Sequence, residues 1–312
     1  MAAHNDRIDA RDWALLGLLS MLWGGSFFFN GLMLRKLPPL TVVLLRVVLA
    51  AIILLPLLWV YRIRLPKGLS GWKPFFAIGF LNNVLPFSLI VIGQTYIPSG
   101  LASIQNATTP LFTVVVMAIA GEEKLLLRRI AGVVAGLIGV IILHGDGFGF
   151  ETGQSIGILL CLAAAFSYGL SALLARKVLS NSPPLGTATF QMLASAAMMT
   201  VVAGLVEHPW QLPMPDAATW LAVIGLAALS TALAYIVFFQ ILRRSGATNV
   251  MLVTLLIPVS ATTLGVLVLG ERLAPHQIVG TLVIASGLVV IDGRLIGWML
   301  GRARPTCNPH RP

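Results

Sequence analysis

The chain has 312 residues and a formal net charge of +10, and 57% of its residues are hydrophobic against 10% charged. Together with a mean hydropathy of +0.91, this lies outside soluble usage and describes an integral membrane protein. Apolar runs of about 20 residues cross the hydrocarbon layer as helices that satisfy their own backbone groups, which excludes a β-barrel here. Two cysteines, Cys161 in an apolar run and Cys307 in the tail, give no disulfide framework.

Asp6, Arg7, Asp9, Arg11 and Asp12 precede the first apolar run. That run lacks the short apolar region and small-residue cleavage site of a signal peptide, so the first helix is predicted to stay. In chain order the predicted spans are 13–34, 41–60, 74–92, 99–119, 130–143, 156–175, 187–206, 218–241, 248–269 and 275–292. Turn chemistry or charge marks the breaks, as at Leu37-Pro38-Pro39, Ile97-Pro98-Ser99-Gly100 and the charged stretches 62–73 and 122–129. The links are short and leave no room for a soluble domain.

Lysine and arginine prefer cytoplasmic loops. Of the 21, 17 fall in the N-terminus, the loops after helices 2, 4, 6 and 8, and the C-terminus, three fall in the other loops, and Arg46 alone lies inside a span. Both termini are therefore predicted cytoplasmic in a multi-pass protein of the plasma (inner) membrane, with the lipid bilayer as its first partner. These charges are spread over six segments rather than gathered in one patch, which argues against a nucleic-acid partner.

An internal repeat organises the chain. Pro110, Glu123, Leu125, Ile130, Gly132 and Gly139 recur 148 positions later as Pro258, Glu271, Leu273, Ile278, Gly280 and Gly287, with Lys124 aligned to Arg272. Ten helices divided into two units of five require the second unit to enter the membrane from the opposite side. The predicted fold is an all-α membrane protein of ten transmembrane helices built as two inverted five-helix repeats, 12–144 and 155–293, followed by a cytoplasmic tail, 294–312. Inverted repeats favour alternating access around one midplane site. Glu123 is then placed at the cytoplasmic end of helix 4 and Glu271 at the outer end of helix 9. Pro110 and Pro258 are candidates for paired helix kinks, because proline removes an internal hydrogen bond.

Leu22-Trp23-Gly24-Gly25-Ser26-Phe27, Leu45-Arg46 and the two Pro-to-Gly hairpins resemble the drug/metabolite transporter superfamily, specifically its ten-helix EamA family, over residues 12–292. The resemblance implies movement of small metabolites, with helices 1–4 and 6–9 around a central cavity and helices 5 and 10 peripheral. It also raises proton coupling. Phe166-Ser167-Tyr168-Gly169 stands where the second half would repeat the Trp-Gly pair.

Polar side chains inside spans are functional candidates because lipid does not solvate them. Trp23, Asn30, Arg46, Asn82, Gln105, Asn106, Gln191, Tyr235 and Thr254 are the candidate cavity residues, with Asn83 and Gln94 also polar within spans. Each competes with a plainer role as a bridge between helices, a wall residue or a belt residue. The cluster from Gln105 to Thr109, beside Pro110, leans towards the cavity. Arg46 lies about six residues into helix 2, roughly 9 Å deep, which suits either an interfacial anchor or a carboxylate-binding guanidinium facing Gln191, its counterpart 145 positions on. The repeated glycines read as close helix packing. Glu122, Glu123 and Glu271 lie beside Lys124 or Arg272 and read as ion-paired helix stops, so the residues themselves offer little support for proton coupling.

No Gly-x-Ser-x-Gly elbow, His-Glu-x-x-His or Walker loop is present, and no cofactor or metal is called for. The function predicted is secondary transport, as an exporter, of small neutral or zwitterionic metabolites such as amino acids or their derivatives. The alternative is a membrane-embedded enzyme or a structural or receptor protein. Direction, proton coupling and the choice between monomer and homodimer stay open.

Overall fold

The computed structural model describes residues 10–122, 127–144, 153–179, 182–238, 240–241, 244 and 253–292. Seven helical stretches are long and apolar enough to cross a membrane: α1 (Ala10–Met33), α2 (Pro39–Val60), α3 (Gly68–Gly93), α4 (Ser99–Ile119), α6 (Gly153–Val178), α7 (Pro184–Val206) and α8 (Ala217–Phe238). Three more apolar helices are shorter: α5 (Leu127–His144), α9 (Val253–Leu264, continued by Gly265–Leu269) and α10 (Pro275–Asp292). Among the described residues no strand occurs. The prediction for α3 began six residues late, because Lys73 and Pro74 read as a boundary; Pro74 instead sits inside the helix and Lys73 is exposed on it.

Local chemistry sets the helix ends. Pro38-Pro39 and Pro183-Pro184 open α2 and α7, where a missing N–H is no loss. Asp216 caps α8 through hydrogen bonds to its carboxyl from the Thr219 hydroxyl at 2.7 Å and the Thr219 N–H at 2.8 Å. These bonds hold that carboxyl below its ordinary range.

Several helices are not regular. α4 is interrupted between Ser99–Asn106 and Thr109–Ile119, just ahead of Pro110. Proline cannot donate to the Asn106 carbonyl, which accepts instead from Thr109 Oγ1 at 2.7 Å. Pro258, by contrast, lies within the unbroken helix Val253–Leu264. The helix is interrupted beside Pro110 and continuous through Pro258, and the interruption is supported locally by the hydroxyls of Thr108 and Thr109. Wide π-type turns occur at Phe80–Val84 in α3 and Gly225–Leu233 in α8. Shifted by 148 positions, the first falls inside the second. Such turns often mark functional sites.

The principal packing pairs are α1 with α8 and α9, α2 with α7 and α8, α3 with α6 and α7, α4 with α6 and α9, and α5 with α10. Exchanging each helix for the one five places along maps this set onto itself: α1–α9 becomes α6–α4, α1–α8 becomes α6–α3, and α2–α8 becomes α7–α3. The repeat in the sequence is therefore also a repeat in packing. Large apolar side chains such as Met21, Ile52, Leu205, Leu221 and Leu267 remain exposed on the outside, a surface suited to lipid and not to water.

The glycines behave as the sequence predicts. α5 and α10 meet backbone to backbone, and a Cβ added at Gly139 would lie 2.9 Å from the Gly280 carbonyl and 2.8 Å from the Ile284 nitrogen. Gly132 and Gly287 face each other in the same way. Replacing Gly139 by leucine should lower stability by about 1–3 kcal/mol through overpacking. Gly17→Ala, which has open space around it, should be neutral. Thermal unfolding in detergent checks this, and equal midpoints for native protein and Gly139→Leu would refute the close α5–α10 contact.

Candidate functional site

Arg46 is 7% exposed although it lies inside a span. It therefore does not reach out to the interface, and the anchor reading is set aside. Its guanidinium carbon sits 3.7 Å from the centre of the Phe87 ring, a cation–π contact. Nε donates to Thr231 Oγ1 at 3.2 Å, and no acidic partner is found among the described residues. Tyr168 and Tyr235 lie within electrostatic reach of the charge.

Gln191 is not the direct partner of Arg46. Its Nε2 donates to the Tyr235 hydroxyl at 3.2 Å, and its Oε1 accepts from Asn82 Nδ2 at 3.4 Å. The correspondence drawn from the sequence nevertheless has a structural counterpart. Arg46 on α2 bonds the π-type turn of α8, and Gln191 on α7 bonds the π-type turn of α3. Next to Asn82, the fully buried Asn83 donates to Ser195 Oγ on α7 at 3.0 Å. α6 joins through Ser167, whose hydroxyl donates to the Leu81 carbonyl at 2.7 Å. Arg46, Asn82, Gln191 and Tyr235 are thus brought together, with Phe87, Tyr168, Thr231 and Ser195 completing the cluster.

Sequence reasoning missed most of that second set. Thr231 stands 148 positions after Asn83, and Tyr168 stands 145 after Trp23, so the repeat itself carried a signal for both. Phe87 and Ser195 carried none, because nothing in an apolar run tells which of its members faces a charge.

The other candidates lie elsewhere. Trp23 packs against Phe238, with ring centres 5.6 Å apart, and a Cβ on neighbouring Gly24 would overlap Ser260 of α9. Asn30 Nδ2 donates to Gln94 Oε1 at 2.9 Å, while Gln94 Nε2 donates to the Phe27 carbonyl at 2.9 Å and to Ser99 Oγ at 3.0 Å. Gln105 is buried with neither amide atom bonded, and Asn106 Oδ1 is likewise unsatisfied. Such unpartnered buried amides are uncommon. Thr254 lies on α9, partly buried. Glu123 lies outside the described residues.

The charged ends replace the ion-pair reading for Glu271 and bear it out for Glu122. Glu271 reaches the start of α4, accepting from the N–H groups of Ser99 at 2.7 Å and Gly100 at 2.9 Å. It is a helix cap and not a partner of Arg272. Glu207 serves α2 in the same manner, accepting from the N–H groups of Leu40 at 2.9 Å and Thr41 at 2.6 Å. Glu122 does form ion pairs, with Arg176 at 3.6 Å and Lys177 at 3.7 Å across on α6. Asp12 pairs with Arg244 at 3.1 Å. Each of these ties joins the first half of the chain to the second. No group of histidine, cysteine or acidic side chains suited to a metal occurs among the described residues.

The model of the EamA-like transporter family matches residues 11–144 and 155–292, one copy in each half. A "probable amino-acid metabolite efflux pump" of Escherichia coli (strain K12) is 27% identical over 90% of this chain and 94% of its own. Its namesake in Salmonella typhimurium (strain LT2) is 28% identical with the same coverage, and the uncharacterized transporter YoaV of Bacillus subtilis (strain 168) is 24% identical over 88% of this chain and 94% of its own. A chain of known crystal structure is 20% identical, covers 92% of this chain and 97% of its own, and superposes with a TM-score of 0.67, a likeness of fold. With both halves matched, the chain belongs to the EamA-like transporter family and is a multi-pass membrane transporter rather than an enzyme.

Proposed function

We propose that this transporter is a secondary exporter of small zwitterionic metabolites, amino acids or their derivatives, which are held through their carboxylate by Arg46. The observation that carries the reading is a buried guanidinium with one hydrogen bond, from Nε, and no acidic partner among the described residues. A buried, uncompensated charge is strongly destabilising. A substrate carboxylate supplies the missing countercharge, and the two terminal nitrogens of the guanidinium form the fork that binds it bidentately. Phe87 holds the cation in place from one face. The hydroxyls of Tyr168 and Tyr235 and the amides of Asn82 and Gln191 are suited to the substrate's ammonium group. Two relatives are named amino-acid metabolite efflux pumps, which favours the same chemical class and the outward direction.

Transport proceeds by alternating access between two inverted five-helix repeats, 12–144 and 155–293, with all ten helices spanning. The self-mapping set of packing pairs supports this. The bias of lysine and arginine places both termini on the cytoplasmic side of the inner membrane. In that topology the Asp12–Arg244 and Glu122–Arg176 ties lie at the inner end, and the Glu207 and Glu271 caps at the outer end. α5 and α10 pack on each other at the side of the bundle and leave the remaining eight helices to form the pathway. The interruption of α4 at Ala107-Thr108 and the π-type turns of α3 and α8 give the pathway its pliable sections.

Two measurements test this. With purified protein in liposomes, Arg46→Lys should lower flux of a carboxylate-bearing amino acid at least about tenfold, the loss of roughly 1.4 kcal/mol that one weakened charge-assisted bond entails. Arg46→Gln should abolish flux, and both variants should stay folded. Full flux and unchanged apparent affinity in Arg46→Lys would rule out bidentate capture. Compartment reporters fused after Arg64 and after Glu207 should read opposite sides, and the same side for both would defeat the ten-span topology.

A further inference from the structure

A cleft of about 210 Å³ lies between α1, α8 and α9, and none of the residues clustered around Arg46 lines it. Leu22, Phe28 and Phe29 of α1, Leu229 of α8 and Leu264 of α9 form its walls. Gly25 of α1 leaves the space open: a Cβ there would stand 3.6 Å from Ser230 Oγ and 3.9 Å from the Phe29 ring. Phe29 is itself fixed by packing, since a Cβ on Gly225 at the start of the π-type turn would lie 2.6 Å from its ring. Met21 and Leu229 flank the cleft and are exposed on the outside of the bundle. Gly25 lies about 12 Å along the helix from Met33, where α1 ends. The cleft therefore faces the hydrocarbon of the bilayer and not its headgroups.

Ser230 supplies the one polar side chain in this lining. It is 1% exposed, and its Oγ has no hydrogen-bond partner among the described residues. A helical serine can return its hydroxyl to the carbonyl four residues back. Here that carbonyl, of Leu226, accepts instead from Thr231 Oγ1 at 2.9 Å. The π-type turn thus carries two neighbouring hydroxyls with different tasks: Thr231 serves Arg46 on α2, whereas Ser230 is turned towards Gly25 on α1 with nothing to receive its proton. Water does not answer this need, because a buried water requires about two to four polar partners and the cleft offers one side chain. Lipid tails do not answer it either, having no acceptor at this depth.

We propose that this cleft is a binding site for a small uncharged molecule that reaches it through the bilayer: its carbonyl oxygen accepts from Ser230, and its apolar part lies against Phe28, Phe29 and Leu264. Apolar walls with a single polar group that fixes orientation are the usual make-up of a small-molecule site. The volume holds a short chain or one ring. Charged and zwitterionic molecules are excluded, since no lining side chain carries a countercharge and the surrounding hydrocarbon does not solvate ions. The ligand is therefore of a different class from the one assigned to Arg46, and the site stands without that assignment. A carbonyl suits the cleft better than a hydroxyl, because it brings an acceptor and no donor that would itself need a partner. Selectivity follows from the same imbalance: an alkane of equal length leaves the buried hydroxyl unbonded, and a ketone does not.

Photolabelling of the full-length protein in liposomes tests the site without any transport measurement. The probes are an aliphatic methyl ketone carrying a terminal diazirine and the alkane of the same length carrying the same diazirine, with adducts mapped by mass spectrometry. The ketone should label the cleft saturably, on residues such as Met21, Phe28 and Leu229, and reach half-saturation at about a tenfold lower mole fraction in the lipid than the alkane, the worth of one hydrogen bond. In Ser230→Ala, which removes only an unbonded hydroxyl, the ketone should lose that advantage. Gly25→Leu fills the cleft and should protect it from both probes; Ser230→Ala carries the test if this variant does not fold. Equal labelling of the native protein by the two probes, a ketone advantage that survives Ser230→Ala, or adducts spread over the other helices would overturn the site.

Discussion

One positive charge buried among apolar helices is the constraint around which the interior is arranged. Arg46 does not neutralise itself in any protein state, and at 7% exposure it has little water to rely on. The surroundings answer it with weak, distributed interactions: the face of Phe87, the hydroxyl of Thr231, and two nearby tyrosines. A carboxylate from the protein would have satisfied the charge permanently and closed the position to a ligand. Partial satisfaction leaves it available to the substrate carboxylate of the proposed function.

That arrangement depends on helices that depart from regular geometry. A regular helix hides its carbonyls and presents side chains at fixed 100° steps, whereas the π-type turns of α3 and α8 insert residues and re-aim the side chains beyond them. Asn82, Asn83, Ser230 and Thr231 all lie in these turns. The two turns are related by the repeat, and each is bonded to the helix that packs on it from the opposite half, α7 in one case and α2 in the other. The duplication thus supplies two versions of one joint. One side is cationic, through Arg46, and the other an amide, through Gln191.

The ends of the bundle complement this interior. The carboxylates of Glu207 and Glu271 and the ion pairs of Asp12 and Glu122 cross between the halves, adding polar ties at the helix ends to the packing that joins the halves along their length. The capping carboxylates of Glu207 and Glu271 bond to backbone N–H groups that any helix leaves unsatisfied. The ion pairs of Asp12 and Glu122 involve side chains that are up to half exposed and therefore weaker. Between the ends, contacts such as Gly24 against Ser260 and Gly139 against Gly280 are close and apolar.

By itself the sequence determined that this is a helical membrane protein, where most helices begin and end, and that the chain is duplicated about a period of 148. These follow from one-dimensional facts: the length of apolar runs, turn chemistry at their borders, and residues repeated in register. It also singled out Arg46 and Gln191 as equivalent, because charge and amide groups stand out against apolar neighbours. Only the tertiary structure decided that Arg46 bonds Thr231 rather than Gln191, that Pro110 interrupts its helix while Pro258 does not, and that Glu271 caps a helix 172 residues away instead of pairing with the adjacent Arg272. The physical reason is common to all three. A side chain's partner is set by which faces two helices turn to each other, and in apolar segments with little amphipathic pattern the sequence leaves that rotation undetermined until packing selects it.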